Sequence, residues 1–169
     1  MSSSGPSKIV FIGESKVGKS SILLQYIEGA FNPEMPTSLT AQFYRKDVKL
    51  PDNNSLTFDL WDTAGLEKYR SLAKLFFKEA SAVVLVYDST NEKSFIELKE
   101  FWYNEVKNLK IILAVVANKC DLNEKKVTDE EGKEFADNIG AIFESVSAKE
   151  NIGINSLLGK IGEAIKNKK

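Results

Sequence analysis

Two short apolar runs, separated by a helical pattern, constrain the fold of this chain more than any other feature. Ala82–Tyr87 and Ile111–Ala117 are almost wholly apolar, and each is far shorter than the roughly 20 residues of a membrane-spanning helix. Between them, apolar residues from Phe95 to Leu109 recur at the three- and four-residue spacing of one helix face. Strands that are buried on both faces and joined by helices form a parallel sheet covered on both sides. We therefore predict an α/β fold with a six-stranded, mostly parallel sheet and about five helices on both faces.

The remaining elements follow from the same patterns. Apolar β-rich runs predict strands and amphipathic stretches predict helices. The predicted strands are Lys8–Ile12, Phe43–Leu50, Leu56–Trp61 and Ala141–Glu144, and the predicted helices are Lys19–Glu28, one from Thr128 to about Asn138, and a last one through Leu157, Leu158, Ile161 and Ile165. The turn residues at 51–54 make the second and third strands a hairpin. Ser94 with Glu97, and Thr128 with Glu131, are predicted capping boxes.

Composition excludes several classes of site. The chain has 169 residues, the length of one domain, and we interpret 1–7 as a flexible leader and 8–169 as that domain. Its 23 Lys and Arg residues against 24 Asp and Glu leave a net charge of −1, so nucleic acid is not an expected partner and any phosphate site has to be local. The absence of histidine excludes His-based catalysis, and the single cysteine excludes an intramolecular disulfide.

A phosphate-binding loop follows the first predicted strand. Residues 13–20 read GESKVGKS, which matches G-x-x-x-x-G-K-[ST] between a strand and a helix. Gly13 and Gly18 permit the backbone angles of an anion nest, Lys19 can reach the β- and γ-phosphates, and the Ser20 hydroxyl can ligate Mg²⁺. The alternative is a glycine-rich turn that happens to contain a lysine. The residues predicted to bind phosphate are Ser15, Lys16, Val17, Gly18, Lys19, Ser20 and Ser21.

Two later segments indicate which base is bound. Asn118-Lys119-Cys120-Asp121 follows the second buried strand after the phosphate loop. A carboxylate at Asp121 can accept hydrogen bonds from guanine N1–H and the 2-amino group, and adenine offers neither donor. Lys119 can lie along the base plane, and Asn118 can tie this loop to the phosphate loop. After the last short strand, a backbone N–H of Ser147-Ala148-Lys149 could meet guanine O6; each segment taken alone could equally be a polar turn.

A third segment, Asp62-Thr63-Ala64-Gly65, follows the strand that ends at Trp61. The Asp62 carboxylate at this strand end can hold Mg²⁺, directly or through water. Gly65 lets a backbone N–H approach a γ-phosphate closely. A P-loop nucleoside kinase is a further alternative, but an arginine-rich lid is not visible because Arg45 and Arg70 are the only arginines.

These motifs, in this order, make the chain resemble the Ras superfamily of small GTPases over about residues 8–168. The phrase from Trp61 to Gly65 is similar to Rab proteins, and the segments Thr37–Phe43 and Tyr69–Ala73 resemble the endosomal Rab subgroup most. The resemblance implies a P-loop small G domain that uses GTP or GDP with Mg²⁺ and has switch segments at about 30–42 and 62–78.

The resemblance also implies roles for individual residues. Phe31 stands where the family packs an aromatic ring against the guanine, although it could instead be part of the core, and Leu122 follows the base motif. Ser38 takes the position of the switch residue that ligates Mg²⁺, where the family usually has Thr; the implied metal ligands are thus Ser20, Ser38 and Asp62. Phe43, Trp61 and Phe76 stand where Rabs carry an effector-contacting aromatic triad.

A Rab-like role implies a monomeric switch in vesicle traffic on the cytosolic face of endomembranes, and the resemblance to the endosomal subgroup implies endosomes. Exchange factors, GTPase-activating proteins and effectors are the implied partners. Rabs usually end in a tail with prenylated cysteines, whereas this chain ends at 166–169 without one, and we hypothesise that the tail was removed.

Leu66 departs from the family pattern in a way that concerns catalysis. The family reads D-T-A-G-Q-E, and the glutamine orients the attacking water; leucine has neither donor nor acceptor. The implied catalytic positions are Lys19, Gly65 and Leu66, and we predict that hydrolysis is impaired. Leu66 is either a substitution that traps the active form, which the regular motif around it favours, or the natural residue of an atypical Rab. The alternative function is a non-hydrolysing, GTP-bound scaffold.

Overall fold

A single six-stranded sheet organises the chain. The computed structural model describes residues 5–33, 42–63 and 74–168. The strands are β1 (Ser7–Ile12), β2 (Gln42–Lys49), β3 (Ser55–Asp62), β4 (Ala82–Asp88), β5 (Ile112–Asn118) and β6 (Ile142–Ser145). They lie in the order β2-β3-β1-β4-β5-β6, and each neighbouring pair is parallel except the β2–β3 hairpin. The predicted α/β fold is confirmed, and each strand differs from its predicted bounds by one residue at one or both ends.

Helices cover both faces of this sheet. The helical segments are α1 (Lys19–Glu28), α2 (Lys74–Phe77), α3 (Glu92–Glu97), a π-helical turn (Leu98–Trp102), α4 (Tyr103–Val106), α5 (Asp129–Ile139) and α6 (Ile154–Lys168). Since α3, the π-helical turn and α4 run on without a break, the described ranges contain five helices, as predicted.

The core is divided by the sheet into two clusters, because successive residues of a strand point to opposite faces. In β1, Ile9 and Phe11 belong to the cluster that α1 and α6 cover, whereas Val10 and Ile12 belong to the cluster that α3, α4 and α5 cover. Every residue of β4 is buried. This central strand therefore reads as one continuous apolar run in the sequence, and its carboxyl end is held rigidly.

The start and end of the third helix differ from the prediction. The predicted cap at Ser94 is wrong: Asn91 is the N-cap, and its side chain accepts a hydrogen bond from the Ser94 N–H at 3.4 Å. Ser94 instead lies in the first turn, where its hydroxyl donates to the Asn91 carbonyl at 2.7 Å. Leu109 lies beyond the helix, in a turn closed by its N–H to the Val106 carbonyl at 3.0 Å, and is 40% exposed.

The capping box predicted for the next helix is present. Thr128 Oγ1 accepts from the Glu131 N–H at 3.2 Å, and Glu131 Oε1 accepts from the Thr128 N–H at 3.3 Å. This reciprocal pair satisfies two backbone donors that a helix start leaves without partners.

Gly132 lets α5 approach the sheet. A Cβ at this position would overlap the Tyr87 hydroxyl and lie 2.7 Å from a ring carbon of Phe143. The Tyr87 hydroxyl is buried without a hydrogen-bond partner among the described parts of the chain, and burial raises the pKa of this phenol. The contact is thus tight and fully desolvated, and it has no room for a methyl group.

We expect Gly132→Ala to lower the free energy of unfolding by about 2 kcal/mol, because the added methyl group forces α5 away from the sheet. Gly159→Ala, in α6, is the matched control: nothing lies within 4 Å of its Cβ position. That change should raise the free energy of unfolding by about 0.5–1 kcal/mol through helix propensity. Urea denaturation of the parent and the two variants measures both changes in the free energy of unfolding. Equal changes for the two substitutions would contradict the tight packing at Gly132.

Candidate functional site

The motif residues lie at the carboxyl ends of the parallel strands, the edge at which such sheets bind ligands. Residues 13–18 join β1 to α1, Asp62 is the last residue of β3, and Asn118 is the last residue of β5. The loops after β5 and β6 carry residues 119–121 and 147–149. Hydrogen bonds between these loops bring them into one site.

The loop between β1 and α1 has the backbone of an anion nest. Lys16 and Gly18 both adopt left-handed conformations, with φ values of 68° and 101°. Between them, Val17 is 1% exposed and anchors the loop in the α1 face of the core. A nest of backbone N–H groups next to the start of a helix is suited to phosphate oxygens.

Lys19 places a positive charge inside this loop. Its side chain is only 2% exposed, and its Nζ donates to the Gly13 carbonyl at 2.9 Å and the Glu14 carbonyl at 2.8 Å. Phosphate oxygens are stronger acceptors for an ammonium group than these neutral carbonyls. The loop therefore holds a buried cation whose donors suit a phosphate chain.

Ser20 and Asp62 form a pair of oxygen donors beside the loop. The Ser20 hydroxyl donates to the Asp62 carboxylate, which is 1% exposed. A hydroxyl and a carboxylate fit the preference of Mg²⁺ for hard oxygen ligands. In the described ranges, no group of three or more Asp, Glu, Cys and His could hold a metal, so Mg²⁺ here would complete its shell with phosphate oxygens and water.

Asn118 joins the phosphate loop to the base loops. Its Nδ2 donates to the Val17 carbonyl at 2.8 Å, and its Oδ1 accepts from the Ala148 N–H at 3.3 Å. The predicted tie between Asn118 and the phosphate loop is present. A Cβ on Gly18 would overlap the Asn118 amide nitrogen, so a glycine is required there for space as well as for φ.

Ser147 orients the carboxylate that was predicted to select the base. The buried Ser147 hydroxyl donates to Asp121 Oδ1 at 2.8 Å and accepts from the Glu150 N–H at 3.0 Å. A fixed carboxylate at the rim of the site can discriminate between donors on a planar base. Leu122, which follows it, is 41% exposed.

Comparison with known proteins identifies the family. The Ras family model matches residues 8–167. The chain belongs to the Ras family. It is 38% identical over 162 residues to "Ras-related protein Rab-22A" of Mus musculus, and also to the Rab-22A proteins of Homo sapiens and Canis lupus familiaris; each match covers 94% of this chain and 82% of the relative. Within the family this is a Rab protein, and Ras-family GTPases bind guanine nucleotides and Mg²⁺.

Sequence reasoning missed two residues of this Rab site, Asp88 and Gln25. Lys119 Nζ lies 2.8 Å from Asp88 Oδ2 and donates to the Lys16 carbonyl at 3.3 Å, so the buried Asp88 carboxylate orients the lysine. Gln25 Nε2 donates to the Ala148 carbonyl at 2.7 Å. Two sequence features could have identified them: Asp88 is an acidic residue at the end of a buried strand, and Gln25 is a polar residue on the apolar face of α1.

Cys120, inside the base motif, is not poised as a nucleophile. Burial raises the pKa of its thiol above the ordinary value, and this effect outweighs a hydrogen bond with Ser145 that lowers it. Since the reactive species is the thiolate, the Rab base loop holds a protonated, weakly reactive thiol at neutral pH.

The predicted aromatic triad forms one contiguous surface cluster. The Phe43 and Trp61 ring centroids are 5.0 Å apart, and those of Trp61 and Phe76 are 5.6 Å apart. Phe43 is 44% exposed, and Lys8 Nζ lies 5.5 Å from the Trp61 ring centroid. A half-exposed aromatic cluster beside a cation is a surface that a protein partner can cover.

Not all of the predicted site residues fall within the described ranges. Ser38, Gly65 and Leu66 lie outside the described residues, as does most of each switch segment. Phe31 is described: it is partly buried against the core cluster under α1, which fits the core alternative and leaves its predicted role at the base a prediction. Of the remaining predicted binding residues, Ser15, Lys16 and Lys149 are exposed and Ser21 is half-buried.

Removing the Asn118 side chain should destabilise the protein. Asn118→Ala leaves the Val17 carbonyl and the Ala148 N–H buried without this partner, so we expect a loss of about 2 kcal/mol in the free energy of unfolding. Asn138→Ala, at an exposed position of α5, is the matched control and should change it by less than about 0.5 kcal/mol. Chemical denaturation without added nucleotide measures both; equal stability of the two variants would show that the bridge contributes nothing.

Proposed function

We propose that this chain is a guanine-nucleotide switch, a single G domain over residues 8–169 that binds GTP or GDP with Mg²⁺. The observation that carries the proposal is the Asn118 bridge, because it joins the phosphate-loop nest to the loop after β6, whose Ser147 orients the Asp121 carboxylate. Membership of the Ras family, whose members are GTPases, supports the same conclusion.

Each part of the site has a defined task in nucleotide binding. The nest at Lys16 to Gly18 and the Lys19 ammonium would receive the β- and γ-phosphates, with Lys19 exchanging loop carbonyls for phosphate oxygens. Ser20 and Asp62 would hold Mg²⁺, which neutralises phosphate charge when bound. The Asp62 carboxylate also stands where the second switch segment begins, so it links the metal position to that segment.

The base loops would supply specificity. The Asp121 carboxylate, oriented by Ser147, would accept the two guanine donors, and Lys119, oriented by Asp88, would lie along the base. Adenine presents a carbon-bound hydrogen at C2 and an acceptor at N1, so it would cover the carboxylate without offering it either donor. Removing a carboxylate from water without new donors is costly, which favours guanine.

The switch would act on effectors through the triad of Phe43, Trp61 and Phe76. Bound GTP would order the segments at about 30–42 and 62–78 beside this cluster, and exchange factors and GTPase-activating proteins would set the nucleotide state. By analogy with its Rab relatives, we place the protein in vesicle traffic on the cytosolic face of endosomal membranes. No described helix is long and apolar enough to span a bilayer.

Hydrolysis is proposed to be impaired in this chain. Leu66 follows Gly65 where the family places a water-orienting glutamine, and it cannot make a hydrogen bond with its side chain. The second candidate function, a GTP-bound scaffold that does not hydrolyse nucleotide, is favoured by this same residue.

We expect the purified protein to carry guanine nucleotide, which chromatography of the denatured protein would identify. After nucleotide removal, competition binding should favour GDP over ADP by at least about 100-fold, since two hydrogen bonds to a charged group are at stake. Asp121→Ala should abolish most of this preference by weakening GDP binding.

Asp137→Ala is the matched control, because Asp137 is an exposed aspartate that forms an ion pair with Lys133, one turn earlier in its own helix. It should leave the GDP preference unchanged. Equal affinity of the parent chain for GDP and ADP, or no nucleotide binding at all, would refute the proposed function.

Leu66→Gln should restore GTP hydrolysis. Single-turnover rates with Mg²⁺ should rise by at least about tenfold, and further when a Rab-activating protein is added, because glutamine orients the attacking water. Leu109→Gln introduces the same group at a half-exposed leucine on the protein surface and should leave the rate unchanged. If Leu66→Gln and the parent hydrolyse GTP at equal rates, with and without the activating protein, the residue at position 66 does not impair hydrolysis.

A further inference from the structure

Gln25 is a buried polar residue on the apolar face of α1. It is 7% exposed, and the buried residues next to it on the helix, Ile22, Leu23 and Tyr26, carry large apolar groups. A polar group in such surroundings is costly unless it is hydrogen-bonded. Gln25 Nε2 donates to the Ala148 carbonyl at 2.7 Å, across 123 residues of sequence. The helix that follows the phosphate loop therefore holds the loop after β6, where base recognition is proposed.

The backbone of that loop offers one donor to a ligand. Three of the four N–H groups in residues 147–150 already have acceptors within the protein, at 3.0–3.3 Å. They are those of Ser147, to the Ile152 carbonyl; of Ala148, to Asn118 Oδ1; and of Glu150, to the Ser147 hydroxyl. The fourth is the N–H of Lys149, for which residues 5–33, 42–63 and 74–168 supply no acceptor. Since Lys149 is exposed, its N–H is the donor of this segment that a bound base can take.

The bond from Gln25 fixes the direction of this donor. The Ala148 carbonyl and the Lys149 N–H belong to one planar trans peptide, so they point in opposite directions. Because Gln25 holds the carbonyl toward α1, the N–H points away from α1. Asn118 holds the N–H on the other side of Ala148. Two buried side chains thus fix the plane that carries the free donor.

Asp121 supplies the complementary acceptors in the same group of loops. Its Oδ1 accepts from the Ser147 hydroxyl at 2.8 Å, two residues before Lys149. The edge of guanine presents one acceptor, O6, beside two donors, N1–H and the 2-amino group. A backbone N–H beside a carboxylate matches all three groups. Adenine carries an amino group in place of O6, so it would turn a donor toward the Lys149 N–H.

We propose that Gln25 is a positioning residue for base recognition, which directs the Lys149 N–H at guanine O6 through the Ala148–Lys149 peptide. This role rests on the proposed nucleotide-binding function and deepens it. Without the Gln25 amide, the Ala148 carbonyl loses its donor and the peptide can rotate, which takes the N–H away from O6. Asp121 keeps its bond from Ser147, so recognition of N1–H and the 2-amino group is retained.

Two altered nucleotides separate these contacts in binding experiments with the whole chain and Mg²⁺. 6-Thio-GDP replaces O6 by sulfur, a weak acceptor, and keeps both donors, whereas IDP keeps O6 and lacks the 2-amino group. The parent should bind GDP about fivefold more tightly than 6-thio-GDP, since one neutral hydrogen bond is at stake. Gln25→Met keeps the length of the side chain without a donor. It should reduce that ratio to less than about twofold and leave the ratio of GDP to IDP affinity unchanged.

Leu24→Met is the matched control, because it introduces the same residue at the neighbouring, half-buried position of α1. It should leave both affinity ratios unchanged. If Gln25→Met weakens the binding of all three nucleotides by the same factor, or of none, Gln25 does not direct the donor at O6. Should Gln25→Met fail to fold by circular dichroism, Gln25→Asn replaces it. Its amide is one methylene too short to reach the carbonyl, so a GDP to 6-thio-GDP ratio equal to that of the parent would overturn the proposal.

The proposed function and the role of Gln25 fail in distinguishable ways. A parent chain that binds no guanine nucleotide refutes the proposed function, and the role of Gln25 with it. A parent that binds GDP more tightly than IDP, but binds 6-thio-GDP as tightly as GDP, refutes only the role of Gln25. The same holds if Gln25→Met leaves the parent's preference for GDP over 6-thio-GDP intact.

Discussion

One amide side chain connects the parts of the site. Asn118 donates to the phosphate loop and accepts from the backbone of the loop after β6, so three segments distant in sequence share one buried group. Both ends of the amide are used, and an amide is the smallest side chain that offers a donor and an acceptor in a fixed plane. The same bridge requires a glycine at position 18, because the Asn118 amide nitrogen occupies the space that a Cβ would take there. Phosphate and base recognition are consequently parts of a single structural unit.

The parallel sheet makes this connection possible. Five of its six strands run in one direction, so the loops after β1, β3, β4, β5 and β6 all emerge at one edge. Asp88 and Asn118 are register partners at the ends of β4 and β5, which explains why Lys119 finds the Asp88 carboxylate at 2.8 Å. Because both faces of the sheet are buried, these strand ends have little freedom to move. The rigid core thus fixes the separation between the groups that contact phosphate and base.

This geometry also decides what the sequence could predict. Strands, helices and motifs were predictable because periodicity and spacing are local, and the strand-end rule placed the motifs at one edge. Contacts between side chains of distant elements were not: neither the Gln25 bond to the base loop nor the Trp102 bond to Glu14 has a local signal beyond a polar residue on a buried face. The cap at Asn91 was missed because Ser94 and Glu97 form an equally good pattern three residues later. Local patterns identify candidates, and tertiary packing chooses among them.

Four carboxylates surround a site that is suited to a polyanion, although the chain carries no excess of positive charge. Each of the four has a specific hydrogen-bond or ion-pair donor in the structure: Trp102 for Glu14, Ser20 for Asp62, Lys119 for Asp88 and Ser147 for Asp121. Each donor offsets part of the charge of its carboxylate locally, so the arrangement of these side chains, and not the net charge of the chain alone, sets the potential at the phosphate site. A chain of net charge −1 can bind phosphate on this basis, provided that each acidic group is directed at a metal, a base or a buried donor.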